Sequence, residues 1–174
     1  MKDLLAHCTL CPRRCGVNRM MGARGFCGAG HTVRVARTML HQWEEPCLVG
    51  VHGAGAVFFS HCTLRCVYCQ NHAISHEGGG TQMSTEELAA RFLSLEQEGA
   101  ATLDLVTPTH YTPQILDALT LARAQGLTLP VVWNTSGYET VENIARLAGA
   151  VDIYLPDLKY DAEESGRLYS AAPD

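Results

Sequence analysis

Long apolar runs are missing: nowhere in the 174 residues do eighteen stand together, which excludes a membrane-spanning helix. Met1-Lys-Asp-Leu-Leu-Ala-His-Cys8 has no stretch apolar enough for a secretion signal, so a cytoplasmic protein with no membrane partner is expected. Neither paired carboxylates nor a Ser–His arrangement stands out, which leaves hydrolytic acid–base or nucleophilic chemistry without visible carriers. Gly78-Gly-Gly80 has no strand before it and no lysine after it; that excludes a phosphate cradle and reads as a flexible linker.

Charge of one sign is scarce at the front. Residues 1–40 carry seven Lys and Arg side chains against Asp3 alone, about +6, and with a chain total of −5 the remainder is about −11. No aromatics interleave with those cations, so stacking on nucleic acid is not expected. The basic segment is expected to dock on the acidic body of its own chain or to offset the charge of thiolates.

With 47% hydrophobic and 18% charged residues, the chain suits one globular domain plus a small appendage. Four continuous apolar runs of strand length, Ala56–Ser60, Leu103–Thr107, Pro130–Asn134 and Val151–Leu155, read as parallel strands buried on both faces. Helices are expected between them. One starts at the capping box Ser84-Thr-Glu-Glu87, one at Thr112-Pro113 with the threonine as cap, and one runs from about Thr140 to Gly149. About four βα units in sequence imply an α/β fold, a parallel sheet curled into part of a (β/α) barrel, with polar residues gathered where the strands end.

Eight cysteines in a reducing compartment point to metal rather than disulfides. Cys62-Thr-Leu-Arg-Cys66-Val-Tyr-Cys69 brings three thiols into one short loop. Three soft ligands leave one position of a cluster open for something that reacts. The competing reading is a zinc knuckle that borrows His61, His72 or Cys47 as a fourth ligand. Upstream, Cys8-x2-Cys11-Pro-x2-Cys15 followed by Cys27 makes a set of four, enough for a closed second site holding zinc or an auxiliary iron–sulfur cluster. Glycines and Pro12 supply its turns. Cys47 reads as a small buried hydrophobe. A third use of the thiols, disulfide exchange through Cys8-x2-Cys11 or Cys66-x2-Cys69, fits the spacing but not the extra partners.

The Cys62-x3-Cys66-x2-Cys69 spacing, with Tyr68 before the last cysteine and an apolar run before the first, resembles the signature of radical S-adenosylmethionine (SAM) enzymes. Gln70-Asn71, Trp43-Glu-Glu-Pro-Cys47 and Gly53-Ala-Gly55 resemble an uncharacterised branch related to the pyruvate formate-lyase activating enzyme. That likeness implies a cysteine-rich N-terminal segment over residues 1–50 and a radical SAM partial barrel over 51–174. It implies a [4Fe–4S] cluster on Cys62, Cys66 and Cys69 whose free iron chelates SAM, with Tyr68 against the adenine. Reductive cleavage would yield methionine and a 5′-deoxyadenosyl radical that abstracts hydrogen from a substrate, which in this branch could be a glycine of a partner protein. An electron donor such as flavodoxin or ferredoxin is implied as well.

The resemblance also assigns the strand ends, with departures. Thr107-Pro-Thr109-His110 stands where the relatives have Gly-Gly-Glu for the SAM amino group, so that contact is either remade, with Thr109 and His110 as candidates, or lost; a plain surface histidine is the alternative for His110. Asn134-Thr135-Ser136-Gly137 stands for Asp-Thr-Asn-Gly, which weakens a monovalent cation site, and Asp157-Leu158-Lys159 matches. Asn134, Thr135, Asp157 and Lys159 are thus cofactor-site candidates, although Asp157 and Lys159 also read as a partly exposed ion pair. A barrel of this type has six strands, so the chain is expected to be a fragment or a shortened form whose fourth strand is an exposed edge. The competing function is a non-catalytic iron–sulfur or zinc module for electron transfer or docking.

Overall fold

The computed structural model describes residues 2–172. In chain order its elements are α1 (Lys2–Ala6), β1 (Val33–His41), α2 (Pro46–Val49), β2 (Ala54–Phe59), α3 (His72–Ser75), β3 (Thr81–Met83), α4 (Thr85–Gln97), β4 (Leu103–Val106), α5 (Thr112–Ala124), β5 (Val131–Thr135), α6 (Val141–Arg146), β6 (Ile153–Pro156) and α7 (Glu163–Ser170).

Among the described residues the strands form one six-stranded mixed sheet in the order β3-β1-β2-β4-β5-β6. The four expected apolar runs are β2, β4, β5 and β6, and they pair in parallel. The all-parallel expectation needs correcting, because β1 runs antiparallel between β2 and β3. Neither added strand has the continuous apolar run that marks a buried parallel strand: β1 carries Arg34 and Arg37, and β3 is three residues long. Residues 33–41 of the basic front segment therefore belong to the sheet.

Side chains alternate across each strand, so the register sorts them onto two faces. On one face Val57, Phe59, Leu103, Leu105, Val131 and Trp133 pack against Leu88, Phe92 and Leu95 of α4 and Ile115, Leu119 and Ala122 of α5. Burial of the valine, leucine, isoleucine and phenylalanine side chains here is worth roughly 1.5–3 kcal/mol each. Gly55 lets α4 come close to β2, since a Cβ there would stand 3.1 Å from that of Leu95. On the other face two rows cross the sheet: Ala56, Asp104, Val132 and Ile153, then Phe58, Val106, Asn134 and Leu155. The second row lies nearer the C-terminal strand ends.

Helix α4 starts as expected: Glu87 N–H donates to the Ser84 hydroxyl (3.1 Å) and Ser84 N–H to the Glu87 carboxylate (2.7 Å). Thr140 caps α6 by accepting from Asn143 N–H at 3.1 Å. At α5, however, Thr112 is the first helical residue and its hydroxyl donates to Thr109 O (2.8 Å), so it is not the cap. Gly78–Gly80 is packed rather than free: a Cβ on Gly80 would lie 2.5 Å from Val35 O, and Ser60 Oγ donates to Gly79 O at 2.6 Å. As expected of an edge strand, β6 exposes Tyr154.

The basic segment docks on its own chain mostly through carbonyls. Arg19, 1% exposed, donates through Nη1 to His110 O (2.6 Å) in the body, while its Nε is held within the segment by Gly30 O (3.0 Å). Arg34 reaches Gly78 O and Gly80 O, and Arg14 pairs with the Glu142 carboxylate at 3.2 Å. No helix among the described residues is long and apolar enough to cross a membrane.

Candidate active site

A cavity of about 300 Å³ opens where β2, β4, β5 and β6 end. One wall is the cysteine loop, with Cys62, Cys66, Tyr68 and Cys69; opposite stand Val106 and Thr107 at the end of β4, Asn134, Thr135 and Ser136 at the end of β5, and Asp157 and Lys159 after β6. Eight of the residues expected at the site thus share one space. Thr109 and His110 do not line it.

Two backbone strains flank the cavity. His61 (φ +74°) turns the chain out of β2 into the cysteine loop, and Thr107 (φ +58°) turns it out of β4. A β-branched residue at positive φ is held there only by its surroundings; Thr107 N–H donates to Asn134 O at 2.8 Å. Nothing in the Thr107-Pro108 sequence signals this, because a following proline ordinarily favours extended backbone.

Each loop sulfur has a hydrogen-bond partner. Leu64 N–H donates to Cys62 Sγ (3.4 Å), the Ser170 hydroxyl to Cys66 Sγ (2.8 Å), and Cys69 Sγ lies 3.2 Å from Ser75 Oγ. Burial pushes the Cys62 thiol up to about 11; the Leu64 N–H opposes that rise and the neighbouring cysteines add to it. Ligation there would release a proton. Arg65 braces the loop, donating to Cys62 O (3.3 Å) and Ser75 O (3.4 Å) and, across to the front segment, to Phe26 O (2.9 Å).

Hydroxyls continue outward from Cys66. Ser170 Oγ is 2.6 Å from Tyr160 OH, which is 2.6 Å from Tyr68 OH. At the mouth Lys159 Nζ donates to Asp157 at 2.6 Å, the partly exposed ion pair that the sequence also allowed. On the far wall Thr135 Oγ1 donates to Glu139 (2.9 Å), which also accepts from Thr109 Oγ1 (2.6 Å), Trp133 Nε1 (2.9 Å) and Asn143 Nδ2 (3.2 Å). Thr109 is therefore tied to a cavity residue through one carboxylate.

His110 is 2% exposed, which overturns the surface reading. Its Nε2 lies 2.8 Å from Ser60 O, an acceptor, so Nε2 carries the proton. Burial pushes this imidazole down to about 3, so it is neutral. It anchors the chain just before Cys62.

Paired carboxyls, unseen in the sequence, lie behind the cavity. Asn134 Nδ2 is 3.4 Å from both Glu44 Oε2 and Asp104 Oδ2. Burial, and then the Glu44 charge, push the Asp104 carboxyl up to about 8, and its Oδ1 has no partner. Sixty residues separate the two acids, so no local pattern announces them.

The front cysteines gather in turns, with Gly16 N–H on Cys8 O (2.9 Å) and Arg14 N–H on Cys11 O (3.0 Å). Burial pushes Cys11 up to about 11, and the nearby charges of Cys27, Cys15 and Cys8 add to it. They lie outside the cavity lining. Cys47 is exposed, contrary to the buried hydrophobe expected.

Among the described residues, no group of three or more His, Cys, Asp or Glu side chains is drawn together as a metal-holding cluster. The donor chemistry nevertheless fits a thiophilic group: three sulfurs line one cavity, and each has a hydrogen-bond partner.

Comparison with known proteins bears on the same residues. The chain is 32% identical over 176 aligned residues to an uncharacterized protein of Methanocaldococcus jannaschii, covering 97% of this chain and 50% of that one. It is 29% identical over 127 residues to the pyruvate formate-lyase-activating enzyme of Clostridium pasteurianum, covering 70% of this chain and 52% of the relative. The chain spans about half the length of these curated relatives. The family model of the radical SAM superfamily matches residues 56–170. That match starts inside β2 and ends at Ser170, whose hydroxyl meets Cys66, and so takes in every element that walls the cavity: the chain belongs to the radical SAM superfamily.

Proposed function

We propose that this chain carries the SAM-cleaving site of a radical SAM iron–sulfur enzyme, with Cys62, Cys66 and Cys69 as ligands of a [4Fe–4S] cluster. The observation that carries the reading is the shared cavity: three thiols face the polar ends of the next three parallel strands across about 300 Å³. When bound, such a cluster passes one electron to the sulfonium of SAM, which splits into methionine and a hydrogen-abstracting 5′-deoxyadenosyl radical.

The chain's own residues bind and orient. Lys159 and Asp157 present opposite charges at the mouth, suited to the carboxylate and ammonium of the methionine moiety. Asn134 and Thr135 offer an amide and a hydroxyl on the β5 wall, and Tyr68 offers a half-exposed ring for the adenine. Thr109 and His110 act from behind, through Glu139 and through Ser60.

Division of labour on this reading separates a cysteine-rich segment, residues 1–50, from a partial barrel, residues 51–174. Cys8, Cys11, Cys15 and Cys27 hold a second metal, zinc or iron–sulfur, while Val33–His41 lends a strand to the barrel. The relative named as an activating enzyme favours a protein as hydrogen donor. The electron comes from a carrier such as flavodoxin or ferredoxin, in a reducing cytoplasm that keeps the thiols free.

Anaerobic reconstitution with iron and sulfide, then reduction with SAM and chromatography for 5′-deoxyadenosine, tests the reading, with Cys66→Ala as control. Deoxyadenosine that depends on Cys66 is the expected result. Retention of zinc without iron would instead assign a non-catalytic metal module.

A further inference from the structure

We infer that Arg13, in the front segment, is a positioning residue for the thiol site: it clasps the cysteine loop to the end of α7 and so keeps the Ser170 hydroxyl on Cys66. Its guanidinium spans two carbonyls, Nε donating to Thr63 O (2.6 Å) and Nη2 to Ala171 O (2.5 Å). Thr63 follows Cys62, and Ala171 follows Ser170, whose Oγ donates to Cys66 Sγ at 2.8 Å. One side chain thus touches the residue next to Cys62 and the residue next to the donor to Cys66.

The guanidinium is itself fixed. It lies over the Phe26 ring at 3.3 Å, and Arg65 holds the Phe26 carbonyl from the other side of the loop (2.9 Å). Two backbone bonds complete the clasp, Arg65 N–H to Ser170 O and Val67 N–H to Tyr169 O, both 2.9 Å. Ala171 sits at φ +49°, a left-handed conformation that alanine adopts only when held. A planar fork with several donors can bridge two carbonyls while stacking on a ring; a lysine ammonium is a point donor that cannot. Arg13 lies between Cys11 and Cys15, so order in the front thiol group reaches the loop through it.

Hydrogen bonds to ligand sulfurs raise the reduction potential of iron–sulfur sites. The potential arm rests on the cluster reading above; the first arm does not. In the full metal-free chain, amide hydrogen exchange of Arg13→Lys is expected to quicken at Arg65 and Val67 by about tenfold, with α4 unchanged. Phe26→Leu, a milder change, moves the same amides in the same direction. Unchanged exchange at Arg65 and Val67 in both variants overturns the clasp, whether or not iron binds. In the reconstituted chain, Ser170→Ala and Arg13→Lys each shift the cluster to lower potential, and the double variant shifts it no further than Ser170→Ala alone. An Arg13→Lys potential equal to that of the unmutated chain would overturn the link to Cys66, whereas an unmutated chain that takes up no iron refutes the cluster reading itself.

Discussion

The two cysteine groups differ in what stands around their sulfurs. The loop of Cys62, Cys66 and Cys69 forms a cavity wall, and its partners are a backbone N–H and two serine hydroxyls, facing the polar strand ends. The group of Cys8, Cys11, Cys15 and Cys27 lies in glycine-rich turns away from that cavity, amid arginines that reach past it to carbonyls of the body. Three thiols beside open space suit chemistry on a bound molecule, while four thiols in tight turns suit a closed structural site. The basic charge of the front segment serves chiefly to dock it, because carbonyl acceptors at its destination outnumber carboxylates.

The contrast breaks first at the cysteines. Cys66→Ala should abolish deoxyadenosine formation and loop-bound iron, whereas Cys11→Ala should remove metal from the front site and leave loop iron in place. Metal analysis of both variants checks this; loss of all metal from either would mean that the groups form one site. Next in size is Arg19→Met, which leaves the buried His110 carbonyl and the part-buried Gly30 carbonyl without their donor. A loss of about 3 kcal/mol is expected from denaturant melts. A change under about 0.5 kcal/mol would show that docking of the front segment does not depend on this buried cation.

A smaller effect sharpens the view of the cavity's rear wall. Asp104 titrates near 8 in the folded chain against 3.8 ordinarily, so between those values the folded state keeps a proton that the unfolded state has lost. Stability should therefore fall as pH rises through that window and level off above about 8, by up to about 1.4 kcal/mol per pH unit. His110, near 3 against 6.5, has the opposite sense: it costs stability as pH falls below 6.5. Between pH 6.5 and 8 the acid dominates, and Asp104→Asn should flatten the slope of melting temperature against pH. An unchanged slope would show that burial does not hold Asp104 protonated in the folded chain. Smallest of all, Lys159→Met should change stability by less than about 1 kcal/mol, since its partner is half exposed, while weakening SAM binding measured by calorimetry; undiminished SAM affinity would remove Lys159 from the cofactor site.

Local pattern made much of this legible. The apolar runs of β2, β4, β5 and β6 and the Ser84–Glu87 box each depend on residues a few positions apart, and each formed as the spacing predicts, while the three closely spaced cysteines share one cavity wall. Strands β1 and β3 escaped because a strand with arginines on it, or one of three residues, has no continuous apolar run. His110 looked like a loop histidine because its burial comes from Arg19 and Ser60, 91 and 50 residues away. Ser170 and Arg13 carried no signal at all, since a serine ending a helix and an arginine in a basic stretch are ordinary.

By itself the sequence determined which residues could be ligands, where the parallel strands run and that the polar strand ends follow one another in order; these are matters of residue type and short spacing. Tertiary structure alone decided that Glu44 meets Asp104 through Asn134, that the Ser170 hydroxyl meets Cys66 104 residues away, and that a front arginine clasps both sides of that contact. Hydrogen bonds and desolvation act over a few ångströms of space irrespective of chain separation, so pairs made by folding leave no trace in the local order of residues.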